Sequence, residues 1–364
     1  MLGVIILALS IGASTQIKAQ FADLDFVYGG VSDAEKLLQA YLEPFANILG
    51  SDLNAGWYNT ARPHKLGGLD VTATVSWAKA PPALFTYDVS ALGLSGQLDP
   101  AGSSLAPTVA GDMDERPSLS YSEVVEFPDG SNQEIEYASY TLPNGTGVDF
   151  FPLPMLQLTV GLPLGTDVSV RFVPMVQMQE YGEIGLWGVG GKHSISQWLP
   201  GIKDLKILDI SLQGGYTKVS SSANVNIEPL KEVGGVPVVD LHPGFDWDDQ
   251  FMIQDVSGWT LNLIASQTLS LLTIYEGVGY ANSLVEMALQ GHYPIHNVIT
   301  EEGENFGSPS YEIFEDPFTL KYENLSKLRL NIGARIKLGV LTLHYDFTHT
   351  LYATHSVGLG ISFR

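Results

Sequence analysis

The chain has 364 residues, 40 acidic against 18 basic, a formal net charge of −22 and no cysteine. The lack of cysteine excludes disulfides and a lipidated N-terminal cysteine, and the acidity makes nucleic acid a poor partner. After an apolar N-terminal stretch no run reaches 18 apolar residues, which excludes ordinary transmembrane helices.

Residues 1–19 read as a cleaved secretory signal. An apolar run from Leu2 to Ile11 precedes small and polar residues, with Ile17 and Ala19 at the −3 and −1 positions, although no Lys or Arg precedes the run. Residues 20–67 are expected to form a helical plug or a periplasmic cap. Ser32 and Glu35 have the spacing of a capping box, and Leu37, Leu38, Tyr41 and Leu42 form an apolar stripe. Pro44 is expected to end or kink this helix, because proline has no N–H and clashes with the preceding turn. The candidate plug residues are Leu38, Leu42, Phe45, Asn59, Ala61 and Arg62, with Asn59 and Arg62 reaching lumenal groups such as Asp209 or Asp346.

Residues 68–364 alternate apolar and polar side chains with period two. The first strand is Leu69 to Lys79, and a hairpin about Pro128-Asp129-Gly130 joins Tyr121–Phe127 to Glu134–Leu142. Phe151–Leu162 and Asp167–Met178 flank a turn at Pro163–Thr166, and Glu183–His193 and Leu208–Tyr216 follow. Trp259–Ala265 and Leu271–Tyr280 flank a turn at Gln267–Ser270. In the last three runs Leu328–Leu338, Leu341–Phe347 and Val357–Phe363 keep one apolar face throughout. Such runs fit a soluble sandwich, with the apolar face inside, or a transmembrane barrel, with that face toward lipid.

Turn lengths decide between them. Short turns alternate with three long segments, 80–150, 221–255 and 282–325, which hold 26 of the 40 acids and only Arg116, Lys231 and Lys321 among Lys and Arg. That asymmetry belongs to an outer-membrane barrel with tight periplasmic turns and long external loops. The expected fold is all-β, a transmembrane antiparallel β-barrel of 10, 12 or 14 strands with a short N-terminal helical plug. Ten strands are distinct, and the loops have room for two or four more. Both termini are expected to be periplasmic. Trp77, Phe151, Trp187, Tyr216, Trp259, Tyr280, Tyr345 and Tyr352 fall near strand ends, as interfacial girdles require.

The polar faces nominate Arg171, Asp209, Gln213, Asn262, Arg329, Asn331, Arg335, Lys337, His344 and Asp346 as lumen-lining. Charge inside a membrane protein marks a pathway in some cases and a satisfied, plugged interior in others. No catalytic set stands out: His344 and Asp346 share a face, but no serine accompanies them in a recognisable setting. Asp246-Trp247-Asp248-Asp249 and Asp112-Met113-Asp114-Glu115 offer oxygen ligands without a full calcium-loop spacing, and His292 and His296 lack a third ligand. No metal or cofactor is expected.

The order of capped helix, Asn59-Thr60-Ala61 and first strand resembles the FadL-type outer-membrane transporter family, whose N-terminal hatch carries an Asn-Pro-Ala turn. Thr60 stands where that turn has proline. Met155–Pro174 looks like the family's hairpin before its lateral opening, and Gly188–Leu199 like a strand descending into a periplasmic turn. The layout covers about two-thirds of the chain, and it is also similar to uncharacterised outer-membrane proteins of this length. The resemblance implies uptake of a small hydrophobic molecule across the outer membrane of a Gram-negative cell. The rival expectation is a non-transporting scaffold or secretion-associated protein whose acidic loops bind a partner protein. Lipid is the surrounding partner, and a monomer is expected.

Overall fold

The computed structural model describes residues 25–99, 102–177, 182–201, 207–323 and 327–363. The expected signal at 1–19 lies outside the described residues. Ten strands form the barrel: β1 (Leu69–Lys79), β2 (Phe150–Leu162), β3 (Thr166–Gln177), β4 (Glu183–Ser194), β5 (Leu208–Asn224), β6 (Phe251–Leu269), β7 (Leu272–Gln290), β8 (Lys327–Leu338), β9 (Leu341–His349) and β10 (Ala353–Phe363). Each pairs antiparallel with its neighbours in the chain, and β10 returns to β1 in a register running from Leu69↔Phe363 to Lys79↔Ala353. The sheet therefore has no free edge, as a lipid-exposed sheet requires.

Burial identifies the side that faces lipid. On β8 the apolar Leu328, Leu330, Ile332, Ile336 and Leu338 are exposed, while Arg329, Asn331 and Arg335 are buried. On β9 and β10 Leu341, Leu343, Tyr345, Val357, Leu359, Ile361 and Phe363 are likewise exposed. A soluble sandwich would show the opposite. From Leu328 to Leu338 is about 33 Å along a strand, or about 25 Å of depth at a ~40° tilt, which matches the hydrocarbon band. No described helix is long and apolar enough to cross a membrane.

Of the strands reserved for a larger barrel, Thr319–Tyr322 pairs with the upper part of β7, from Val285↔Tyr322 to Ala288↔Thr319, and the others build small sheets above the barrel. Ser118–Glu126 and Asn132–Thr141 join Gln97–Leu98 in a three-stranded sheet, and His292–Val298 pairs with Pro309–Glu315. Strands β5, β6 and β7 have 17, 19 and 19 residues, against 9 to 13 in the other seven, so they rise beyond the lipid band. The second and third acidic loops consequently begin later than expected, at residues 225 and 291. The turn placed at Gln267–Ser270 contracts to Ser270-Leu271, because β6 and β7 pair as far as Leu269↔Leu272. Phe151 and Tyr352 are not girdle residues. Phe151 turns inward onto Phe45, and Tyr352 is buried where it accepts a hydrogen bond from Asn47.

Helix α1 (Val31–Leu53) has 23 residues, about 34 Å, and it enters the barrel from the long-loop end. Its first half is amphipathic: Leu37, Leu38, Tyr41 and Leu42 are buried, and Ser32, Glu35, Gln39 and Glu43 are exposed. From Pro44 to Leu53 every residue is buried except Phe45, which is half-buried, so wall surrounds the helix on all sides. The expected capping box is not made. Gly30, at φ 102°, is the N-cap, and no side chain caps the first turn. Pro44 does not end the helix; packing around it offsets a local cost of about 3 kcal/mol.

The chain then descends the lumen from Asn54 and turns at Gly67, whose N–H bonds to Gly161 O at 2.9 Å, into β1 at the short-turn end. Its entry is fixed by the cap. Tyr28 Oη donates to Glu228 O at 2.8 Å, and Tyr28 packs edge-on to His296, 5.1 Å between centroids. Burial holds His296 down to about 4, so it stays neutral and accepts from the Leu230 N–H at 3.2 Å. The two described ends therefore lie at opposite ends of the barrel; the N-terminus expected to be periplasmic lies outside the described residues. In sealed vesicles, Ser32→Cys and Asn226→Cys should react with an impermeant maleimide from the same side, and Leu66→Cys only from the other. Ser32→Cys labelling together with Leu66→Cys would contradict the threading.

Candidate functional site: the filled lumen

The alternation on β3 sends Val168, Val170 and Phe172 to lipid and Asp167, Ser169 and Arg171 inward. Arg171 is 1 % exposed. Its Nη2 donates to Ala55 O at 2.8 Å, Nη1 to Leu53 O at 3.3 Å, and Nε to Gln157 Oε1 at 3.0 Å. Leu53 is the last residue of α1, so a fixed cation sits on carbonyls that the helix leaves unpaired, at its negative end. The guanidinium also lies 3.7 Å from the Trp57 ring centroid. Trp57 rests against Gly190 and Gly215, where any Cβ would come within 2.6 and 2.5 Å of the indole. Those glycines make room for the ring.

A second layer lies beside it. Arg329 Nη1 donates to Tyr58 Oη at 2.7 Å and to Asn262 Oδ1 at 2.8 Å, and Asn262 Nδ2 donates to Gln213 Oε1 at 2.6 Å. Asp346 accepts from Asn331 Nδ2 at 2.9 Å and from Tyr275 Oη at 3.3 Å. Its carboxylate is thus engaged by neutral donors, and the described residues show no hydrogen bond between it and His344. A catalytic His–Asp couple is not assembled.

Toward the short-turn end the interior becomes ionic. Asp167 meets Lys192 Nζ at 3.1 Å and His64 Nδ1 at 3.2 Å, and it also accepts the His64 N–H at 2.9 Å. Lys192 Nζ continues to Thr60 O at 3.1 Å. Arg62 Nε lies 2.9 Å from Asp209 Oδ2, and Arg335 Nη2 lies 3.8 Å from Asp70 Oδ2. Lys337 Nζ donates to Ser362 Oγ at 3.3 Å. Between these groups is a water-sized cavity lined by Asn59, Gln213 and His344, among others. Trp57 Nε1, Gln213 Nε2 and both His344 ring nitrogens have no protein partner, which makes the cavity a place for bound water.

The ten nominated lumen residues therefore face the interior. Among the plug candidates, Ala61 is buried, its N–H bonding to Ser266 Oγ at 3.0 Å, and Phe45 packs edge-to-face with Phe151. Leu38 and Leu42 lie higher than expected. Tyr322 of the cap donates to Gln39 O at 2.9 Å, and the Val109 N–H bonds to Tyr41 O, so this half of α1 packs under the cap. Sequence reasoning passed over Trp57, Tyr58, His64, Asp167 and Lys192. Asp167 and Lys192 stood on the inward parity of their strands and could have been found there. Among the described residues no three His, Cys, Asp or Glu gather as a metal site. His292 pairs with Asp249 at 2.6 Å, while His296 is buried against Tyr28.

Arg171→Met keeps the volume and removes the fork. The barrel should lose about 3 kcal/mol, because two buried carbonyls and Gln157 are left unpaired. Arg171→Lys should recover less than half, since an ammonium cannot span the same acceptors. The midpoint of heat-dependent gel mobility measures both, and equal midpoints for wild type and Arg171→Met would remove Arg171 from this role.

No curated protein matches the chain in sequence. Among solved structures it is similar to the outer-membrane protease OmpT of Escherichia coli, at 8 % identity and TM-score 0.33, over 81 % of this chain and 97 % of that one. The translocator domain of the autotransporter NalP of Neisseria meningitidis shares 10 % identity at TM-score 0.28, over 83 % and 90 % of the two chains. The toluene transporter TodX of Pseudomonas putida shares 8 % identity at TM-score 0.26, over 89 % and 96 %. A family model spans residues 1–363, and the chain belongs to that family, DUF6588, a family of unknown function.

Proposed function

We propose that the protein lies in the outer membrane with its acidic cap outside, and passes a small apolar molecule sideways between its interior and the bilayer. The supporting observation is a break in the barrel wall. Strands β2 and β3 pair only from Leu162↔Thr166 to Gln157↔Arg171, whereas every other seam runs the length of its shorter strand to within two residues. Above Gln157 and Arg171, Phe150–Leu156 and Phe172–Gln177 have no ladder partner across this seam. Pro152, Pro154 and Pro174 carry no N–H, and β3 bulges between Val173 and Val176. Leu153 and Met155 line the inner side of the break, and Phe150, Leu156, Phe172 and Met175 its lipid side. Both sides are apolar, which suits an apolar passenger. The break begins within Met155–Pro174, the hairpin that resembles the one before the lateral opening of FadL-type transporters, and runs beyond it on both strands.

The filled lumen argues against an aqueous pore for polar solutes. The scaffold reading has one feature in its favour: Val89, Leu119, Tyr121 and Leu142 of the cap are buried in one apolar cluster with α1 and the upper barrel wall, which would hold an acidic surface rigid for a partner.

Extending the register pairs Leu156 with Phe172. Leu156→Cys/Phe172→Cys, joined by a short bifunctional thiol reagent, should stop uptake of a small hydrocarbon probe into proteoliposomes, and a reductant-cleavable linker should restore it on reduction. Unchanged uptake through the locked seam would overturn lateral passage. A stoichiometric protein co-purifying with the cap, and no uptake by wild type, would favour the scaffold.

A further inference from the structure

A plug that fills the lumen and a passenger that leaves through the wall require some part of the structure to move. From Pro44 to Leu53 α1 is enclosed by wall, and Phe45 is the one residue of that half that is not buried. Its ring meets Phe151 edge to face, 5.7 Å between centroids. Phe151 stands on the stretch of β2 that has no partner on β3. Phe45, Phe151 and Val173 are half-buried, while Leu153 and Met155 on the inward face of β2 are each 3 % exposed. The accessible apolar surface inside the break thus belongs to two rings and a valine, and one of those rings is carried by the plug.

The helix is clamped on either side of this ring. Below it, Arg171 holds Leu53 O and Ala55 O. Above it, the Val109 N–H bonds to Tyr41 O at 2.9 Å and Tyr322 Oη donates to Gln39 O at 2.9 Å. Pro44 lies between the clamps, and its nitrogen has no hydrogen to give Ala40 O, so the helix lacks one rung in the turn that carries Phe45. That turn can give locally while both clamps stay made.

We infer that Phe45 is the inner stopper of the β2–β3 break and Pro44 the hinge on which it moves, so that a passenger displaces one ring and leaves the rest of the plug seated. This rests on the lateral-passage reading and names the part that moves. Withdrawal of α1 from the barrel would instead break the Arg171 fork and strand a guanidinium and the helix-end carbonyls in the lumen. Turning one phenyl ring gives up only its contacts with Phe151 and other apolar neighbours, and an apolar passenger in the vacated place makes equivalent ones. The ionic layer below stays closed. An apolar molecule can therefore pass a barrel that holds back ions.

Since the chain has no cysteine, Leu153→Cys in the full-length protein is a clean probe of the inner side of the break. A maleimide carried on a lipid acyl chain reaches that thiol only from the bilayer. Adding Phe45→Ala should speed its labelling in proteoliposomes about tenfold, as a minor open state becomes well populated, and Phe45→Trp should slow it. Pro44→Ala, which returns the missing N–H, should slow it too. Leu37→Ala, at a buried position of α1 under the cap, should leave the rate unchanged. Heat-dependent gel mobility confirms that each variant is folded, and Phe45→Ala should still pass no steady ion current in planar bilayers. Labelling that follows residue 45 in a protein that takes up no hydrocarbon probe would support the stopper and remove the transport reading. Labelling indifferent to Phe45→Ala, equal acceleration by Leu37→Ala, or a steady current through Phe45→Ala would each overturn the stopper, and intact uptake beside any of these would leave lateral passage standing.

Discussion

The Arg171 guanidinium is where the barrel wall and the chain inside it become one structure. Three of its nitrogens are committed to Leu53 O, Ala55 O and Gln157, and its face to Trp57. A charge at this depth is tolerable only when each donor is used, and a helix end is tolerable there only when its carbonyls are answered. Each solves the other's problem. Around this contact Trp57 takes the space left by Gly190 and Gly215, and Tyr58 accepts from Arg329. The segment after α1 is thereby led down to the ionic layer at His64, Asp167 and Lys192.

The interior is consequently graded. Under the cap, α1 meets Val219, Met252, Val256, Val285 and Met287 in an apolar core like that of a soluble protein. At the short-turn end the same lumen is lined by charges in pairs. The break between β2 and β3 opens from the upper, apolar part, where Leu153 and Met155 face inward. On the proposed route an apolar molecule would leave above Arg171, clear of the ion pairs at His64, Asp167 and Lys192.

Much of this was legible in the sequence because strand alternation is a local rule. Leu328–Leu338 against Arg329–Lys337 shows two faces from one stretch alone, and the turn asymmetry tells which face meets lipid. Ten strands, their order and the ten lumenal side chains follow from that rule. What was not legible depends on contacts distant in sequence. Nothing between residues 25 and 67 says from which end the chain enters, since that is set by Tyr28 on Glu228 and Tyr322 on Gln39. Pro44 reads as a helix end until the surrounding wall is known. The long β5, β6 and β7 read as loop because alternation beyond the lipid band switches to a core-facing pattern, with Val256 and Val285 inward. Trp57 is visible as a large residue, but its seat requires glycines on two other strands.

The central claim is that the N-terminal segment fills the lumen and closes it to water and ions. Planar-bilayer conductance of the full-length protein and of a form lacking residues 25–55 tests this most directly. The full-length protein should show no steady ion current, and the shortened barrel, once inserted, should show discrete openings. A full-length protein that conducts steadily, with the same unit conductance as the shortened form, would contradict the account.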